Sequence, residues 1–295
     1  MNLSLSRSFP IAKAALVAAV IACAVALIFG LAGCASGGTG SSSADADNTS
    51  ASTDGKTLRV AMELAYPPFE TKDDAGNPEG LAVDFIRDFG AAYGYDVQIE
   101  NTAWDGLIPS LQSGKADLVI SSMTITDERK QSVDFSDAYA MAQLAILANA
   151  DSGVASIDDL NQPGKKVAVK TGSTGDVYAA KNLPNAEIVR LADESACVTE
   201  VVQGKADGFL YDQLTIYRNH QANPDTTEAV FIPFQDAEEW GIAVKKGDTE
   251  LLDQLNAFIA QSKADGEFDR LTEKYLADEK KAFDQYGFKW FFDFE

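Results

Sequence analysis

Residues 112–122 read QSGKADLVISS, and residues 202–212 read VQGKADGFLYD. Each copy has the form of a helix end, a glycine cap, Lys-Ala-Asp and then a strand. A chain carrying this pattern twice is expected to build two similar α/β lobes, each delivering polar groups from the end of a strand. In open α/β sheets, ligands bind beyond the carboxyl ends of the strands. In the first copy, Leu118, Val119 and Ile120 form a continuous apolar run, which suits a strand covered on both faces. Ser121, Ser122, Met123 and Thr124 follow at its carboxyl end. Thr126 is placed to cap a helix that begins with Asp127 and Glu128. Arg129 falls in its first turn, where free N–H groups, the helix dipole and a guanidinium fork favour a carboxylate. Taken alone, Arg129 could equally pair at the surface with Asp127 or Asp134.

The flanks and the charge narrow the class. Arg7 and Lys13 precede an apolar run from Ala14 to Ile28, about the length of a signal core and short for a bilayer span. Leu31-Ala32-Gly33-Cys34 resembles the bacterial lipobox. That resemblance implies removal of residues 1–33 and attachment of diacylglycerol to Cys34. The competing reading is an uncleaved membrane helix. Residues 35–55 hold no large apolar residue, so 34–55 is expected to be a flexible tether. With 45 acidic and 24 basic residues, the net charge of −21 argues against a nucleic-acid partner and suits an extracytoplasmic protein. Once residues 1–33 are removed and Cys34 is acylated, Cys197 has no disulfide partner. Its apolar neighbours mark a core thiol. His220, the only histidine, is expected on a helix surface. No metal-ligand spacing occurs, and no cofactor is expected.

The stretch SSMTITDERKQSVDFSD, residues 121–137, resembles the signature of the extracellular solute-binding proteins of family 3, receptors of ABC importers for polar amino acids. The resemblance runs from about Lys56 to Leu276. It implies a periplasmic-binding-protein-like fold of type II, with two α/β lobes joined by two crossing segments and a cleft between them. In that family the arginine corresponding to Arg129 holds the ligand α-carboxylate. By the same resemblance Asp212 binds the α-ammonium, and Ser121, Ser122, Met123, Thr124 and Tyr211 lie along the cleft. Lys170, Gly172, Ser173 and Thr174 close over the ligand from the second lobe.

The rest of the chain can be placed on this plan. Leu58, Val60 and Met62 alternate as a strand that runs into Glu63, Tyr66 and two prolines, which force irregular backbone. The resemblance makes Tyr66 and Trp104 aromatic walls and Glu63 a contact for the ligand side chain. Together they suit an aliphatic, polar or cationic group. Without the resemblance, Tyr66 reads as lobe core, Glu63 as a solvated acid and Trp104 as packing. Leu81, Phe85, Ile86 and Phe89 have helical spacing, with Gly94 as C-cap. Ala82 stands where the family usually has aspartate. Tyr95, Val97 and Ile99 alternate as a second strand. Ser156 is a candidate N-cap. Lys166–Lys170 reads as a strand, followed by a small-residue turn that feeds a helix and exposes backbone donors.

The expected first lobe is 56–138 with 241–276, and the second is 144–235. The crossings fall at 139–143 and 236–240. Residues 277–295 form an aromatic extension that either packs on a lobe or presents a partner surface, with packing favoured because exposed aromatic patches are rare. The expected function is that of a monomeric, lipid-anchored receptor on the outer face of the cell membrane. It captures a free L-amino acid, polar or cationic, and hands it to the permease subunits. Two other classes compete with this one. A cyclohexadienyl dehydratase-like enzyme would use paired acids such as Glu63 and Asp212, but no nucleophile–base pair is present. A sensor input domain would need a signalling region, and the sequence shows none.

Overall fold

The computed structural model describes residues 56–286 and 289–293. The leader 1–33, Cys34, the tether, Phe288 and Phe294 lie outside the described residues.

Two five-stranded sheets carry the fold. In the first, the strand order is Tyr95–Asn101, Lys56–Met62, Leu118–Val119, Ala243–Lys245, Val133–Phe135. The first three strands are parallel, and Ala243–Lys245 runs antiparallel to both of its neighbours. In the second, the order is Glu187–Leu191, Lys166–Lys170, Gly208–Asp212, Leu144–Asn149, Thr227–Val230. Again the first three are parallel and the fourth is antiparallel to both neighbours. The strand that follows each Gly-Lys-Ala-Asp copy is therefore the middle strand of its sheet.

The local chemistry of the repeat explains this equivalence. Gly114 and Gly204 take left-handed φ angles of 71° and 66°, which end the preceding helices. Lys115 and Ala116 then both donate to the Ser110 carbonyl (2.9 and 3.2 Å), as Lys205 and Ala206 do to Glu200 (2.8 and 3.0 Å). The aspartates fix register. The backbone N–H of Arg59 donates to Asp117 Oδ2, and that of Lys166 to Asp207 Oδ2, both at 2.8 Å. Each carboxylate is also paired, Asp117 with Arg59 (2.6 Å) and Asp207 with Lys165 (2.9 Å). The charged pairs that the motif specifies thus tie each central strand to its parallel neighbour.

The chain passes between the sheets twice. Ala140–Ala142 pairs antiparallel with Glu238–Trp240, with Ala140 opposite Trp240 and Ala142 opposite Glu238. On the first sheet, the helix Leu81–Tyr93 buries Leu81, Phe85, Ile86 and Phe89, and ends at Gly94. Ala82 is fully buried, so an aspartate there would have to be hydrogen-bonded or paired. Ser156 differs from expectation. It precedes the helix Ile157–Leu160 but caps none of its N–H groups; its hydroxyl donates to Asp159 Oδ2 at 2.9 Å, and Asp159 accepts the Ala155 N–H.

Beyond Tyr275 the chain adds the helix Ala277–Tyr286 and turns back onto the first lobe. Phe283, Trp290 and Phe291 are buried in that lobe's apolar cluster. The Trp290 ring N–H donates to Thr272 Oγ1 at 3.1 Å, and the Phe291 carbonyl accepts the N–H of Met141, on a crossing strand, at 2.7 Å. Phe283, Trp290 and Phe291 thus belong to the core, and Phe292 packs against it.

Cys197 is fully buried, and burial pushes its thiol up to about 12. His220 is half-buried rather than on the surface, with Nδ1 3.1 Å from the Thr227 carbonyl. Among the described residues, no helix is long and apolar enough to cross a membrane, and no cluster of His, Cys, Asp and Glu is placed to hold a metal ion.

Candidate functional site

The carboxyl ends of the central strands face a small cavity of about 40 Å³. From the first lobe it is lined by Glu63, Tyr66, Trp104, Ser121, Ser122, Thr124 and Arg129. From the second come Ser173, Thr174, Tyr211 and Asp212, with Leu144 as an apolar wall. These residues are far apart in sequence, and the strand ends bring them together. Ser122 adopts a left-handed φ of 46°, uncommon for a residue with a Cβ, in the turn that leaves the first central strand.

Arg129 occupies the short helix Asp127–Lys130, whose N-cap Thr126 accepts the Arg129 N–H at 3.2 Å. Its guanidinium donates to two carbonyls, Thr124 on its own lobe (2.7 Å) and Gly172 across the cleft (3.1 Å). It lies 5.1 Å from the centre of the Trp104 ring. Among the described residues it forms no ion pair, neither with Asp127 nor with Asp134; the latter pairs with Lys246 instead. Burial lowers the Arg129 pKa, an effect opposed chiefly by nearby Glu238. A half-buried guanidinium without a direct carboxylate partner is suited to an anion.

Asp212 closes the opposite side. It ends the strand Gly208–Asp212 and caps the helix Gln213–Ala222, accepting the N–H groups of Leu214 (2.9 Å) and Thr215 (3.1 Å). Tyr66 donates to the same Oδ1 from the other lobe at 2.7 Å. Among the described residues Oδ2 receives only the Thr215 hydroxyl, at 2.9 Å, which leaves a lone pair for a further donor. Burial raises the Asp212 pKa, and the bonds from Tyr66 and Thr215 oppose that shift.

Lys170 ends the strand Lys166–Lys170 and is almost completely buried, at 2% exposure. It is ion-paired with Glu63, lies 3.6 Å from Glu194, and sits 5.3 Å from the centre of the Trp104 ring. Glu63 also accepts the Trp104 N–H at 3.2 Å, while its own N–H donates to Ser121 Oγ.

Not every residue named from sequence meets the cavity with its side chain. Met123 is 1% exposed and packs in the first-lobe core with Val119 and Val133, because its neighbours Ser122 and Thr124 point the other way. Gly172 contributes its carbonyl to Arg129, in a left-handed turn (φ 73°). Lys170 lies behind Glu63 and Trp104 rather than on the wall. Tyr66 stacks on Phe69 with ring centres 5.5 Å apart.

Three further residues, Glu238, Trp240 and Glu70, line the cavity, and a fourth, Glu194, sits against Lys170 outside it. Glu238, on the crossing strand, accepts the hydroxyls of Thr124 (2.9 Å) and Thr174 (2.7 Å), and so clasps both lobes at the hinge. Trp240, from the same strand, walls the cavity. Glu70 is 1% exposed and accepts from Ser122 Oγ at 3.2 Å; burial carries its pKa well above the usual carboxylate range. Glu194 is raised to about 7, first by burial, with Lys170 opposing, and among the described residues its Oε2 has no hydrogen-bond partner. The available signal was an acid inside each segment: Glu70 after Pro67-Pro68-Phe69, Glu194 one turn before Cys197, and Glu238 in the return crossing.

Two α/β lobes with a charged cleft at the crossing define a binding protein of the periplasmic type. The chain belongs to the bacterial extracellular solute-binding proteins, family 3, matching that family over residues 58–278. It is 36% identical over 266 residues to a probable histidine-binding protein of Neisseria gonorrhoeae, covering 89% of this chain and 96% of that one. It is 34% identical to an L-arginine-binding protein of Pseudomonas aeruginosa, covering 79% of this chain and 90% of the relative. Among solved structures it is similar to an ancestral amino acid-binding protein described as a precursor of cyclohexadienyl dehydratase. That similarity has a TM-score of 0.68 and 39% identity, and covers 74% of this chain and 94% of the other.

Proposed function

We propose that this chain is the substrate-binding component of an ABC importer and captures a free L-amino acid between its lobes. The observation that carries this reading is the half-buried Arg129 guanidinium without a carboxylate, on the same cavity as Asp212. One zwitterion answers both needs: its α-carboxylate takes the guanidinium fork, and its α-ammonium takes the open lone pair of Asp212 Oδ2. Ser121, Thr124 and the Thr174 N–H at the start of its helix supply the remaining hydrogen bonds. Closure is a movement of one lobe against the other about the two crossing strands, with Glu238 held by a threonine from each side. Binding free energy drives it, and no covalent step is involved. The named relatives are themselves binding proteins, which supports this reading over the dehydratase one.

On the same reading the protein sits on the outer face of the cell membrane as a monomer, held by a lipid on Cys34 and reaching the permease through the tether. The lipobox resemblance at Leu31–Cys34 supports this. Thermal unfolding of the ligand-stripped protein with each natural L-amino acid tests the reading. A ligand at ~1,000 times its Kd adds about 4 kcal/mol of stability. At least one amino acid should raise the midpoint, and its α-carboxamide derivative should not. If no free amino acid does so, the reading fails.

A further inference from the structure

The side-chain end of the cleft already contains a cation of its own. An aromatic wall beside an acid, the pairing that Trp104 and Glu63 offer by residue type, suits a cationic guest. In the fold both partners are taken. Glu63 is ion-paired with Lys170 and also accepts the Trp104 N–H. The Trp104 ring has Lys170 5.3 Å and Arg129 5.1 Å from its centre. A third positive charge would meet two fixed ones and a carboxylate already neutralised. Tyr66 offers no substitute, since it stacks on Phe69 and has Tyr211 and Trp240 against it edge-on.

The other acids do not restore the attraction. Glu70 is 1% exposed and accepts from Ser122, and burial raises its pKa, which disfavours its charged form. Asp212 is assigned to the α-ammonium. Glu194 lies against Lys170 and Tyr211 and is not on the cavity wall, and Glu238, which is, accepts from Thr124, Thr174 and Gln235 and faces Arg129. What remains for a guest side chain is a set of hydrogen-bonding groups whose charge is already paired or disfavoured: the Glu63 lone pairs left by Lys170 and Trp104, Glu70, and the Ser122 hydroxyl that donates to it.

We propose that Lys170 is the specificity-determining residue of this cleft, and that its buried ion pair with Glu63 selects an L-amino acid with an uncharged polar side chain, an amide or a hydroxyl, over a cationic one. This rests on the amino-acid-receptor reading above and narrows it. It runs against the cation that the name of the Pseudomonas aeruginosa relative would suggest.

The test is calorimetry on the mature chain, stripped of bound ligand, with glutamine, asparagine, serine and threonine against arginine, lysine and ornithine. The best uncharged ligand should bind at least about tenfold more tightly than any cationic one, the effect of about 1.4 kcal/mol. Lys170→Met frees Glu63 and both the ring face and the space that the ammonium occupies. The ratio should then move at least about tenfold toward the cationic set. If arginine or lysine is the tightest ligand of the unaltered protein, the inference is overturned while the receptor reading stands. An unchanged ratio in a folded Lys170→Met protein overturns it too. Binding of no free amino acid at all removes both. The ranking in the unaltered protein decides the matter even if the variant does not fold.

Discussion

Arg129→Ala should lower amino-acid affinity by about two to three orders of magnitude, with the fold intact. The loss follows from leaving a desolvated α-carboxylate without its fork, which costs about 3–5 kcal/mol for a buried partner. The apo protein should tolerate the change, because among the described residues the Arg129 guanidinium hydrogen-bonds to the Thr124 and Gly172 carbonyls and forms no ion pair with a buried acid. Arg129→Lys keeps the charge without the planar fork and should fall between the two. Calorimetry with the best ligand reads the effect. Affinity within about twofold of the parent in Arg129→Ala would remove the carboxylate assignment.

The second large effect lies far from the cleft mouth. Phe291→Ala should destabilise the protein by about 3–5 kcal/mol, the cost of emptying a well-packed aromatic site. Phe291 is fully buried, with ring centres 5.2 Å from Phe69, 5.5 Å from Trp240 and 5.5 Å from Trp290. Phe69 and Trp240 are also the rings against which Tyr66 packs. The tail therefore supports the wall that delivers the Tyr66 hydroxyl to Asp212. Helix Ala277–Tyr286 reaches the second lobe as well, through Glu279 to Arg218 (3.7 Å) and Phe283 to Tyr217 (ring centres 5.7 Å apart). Denaturant unfolding monitored by circular dichroism measures the loss. A shift below about 1 kcal/mol would show that the tail is not part of the core.

Much of this architecture can be read in the sequence because its signals are local. The repeat carries its own glycine cap and its own register-fixing aspartate, so residue order alone is enough to place the two central strands. Alternating residues mark Lys56–Met62 and Tyr95–Asn101, and Thr126 marks the short helix of Arg129. The cleft is legible only in part. Tyr66, Trp104 and Glu63 are visible as residue types, but whether an acid is free or already paired depends on a partner more than a hundred positions away. Lys170 and Glu63 are such a pair, and their contact reverses the preference that the types alone suggest. Glu70 and Glu194 look like ordinary surface acids until the fold buries them. Met123 sits in a run of polar residues, yet backbone alternation after the strand turns it into the core. The tail's aromatic composition fits packing or a partner surface equally well, and only tertiary contacts separate the two.

The central claim is that one zwitterion bridges the lobes by its two charged ends. A crystal structure of the protein with its tightest amino acid tests this most directly. The account predicts the α-carboxylate within hydrogen-bonding distance of the Arg129 guanidinium and the α-ammonium on Asp212 Oδ2, with the side chain pointing toward Glu63. A ligand bound with its poles reversed, or at a site that touches neither Arg129 nor Asp212, would contradict it.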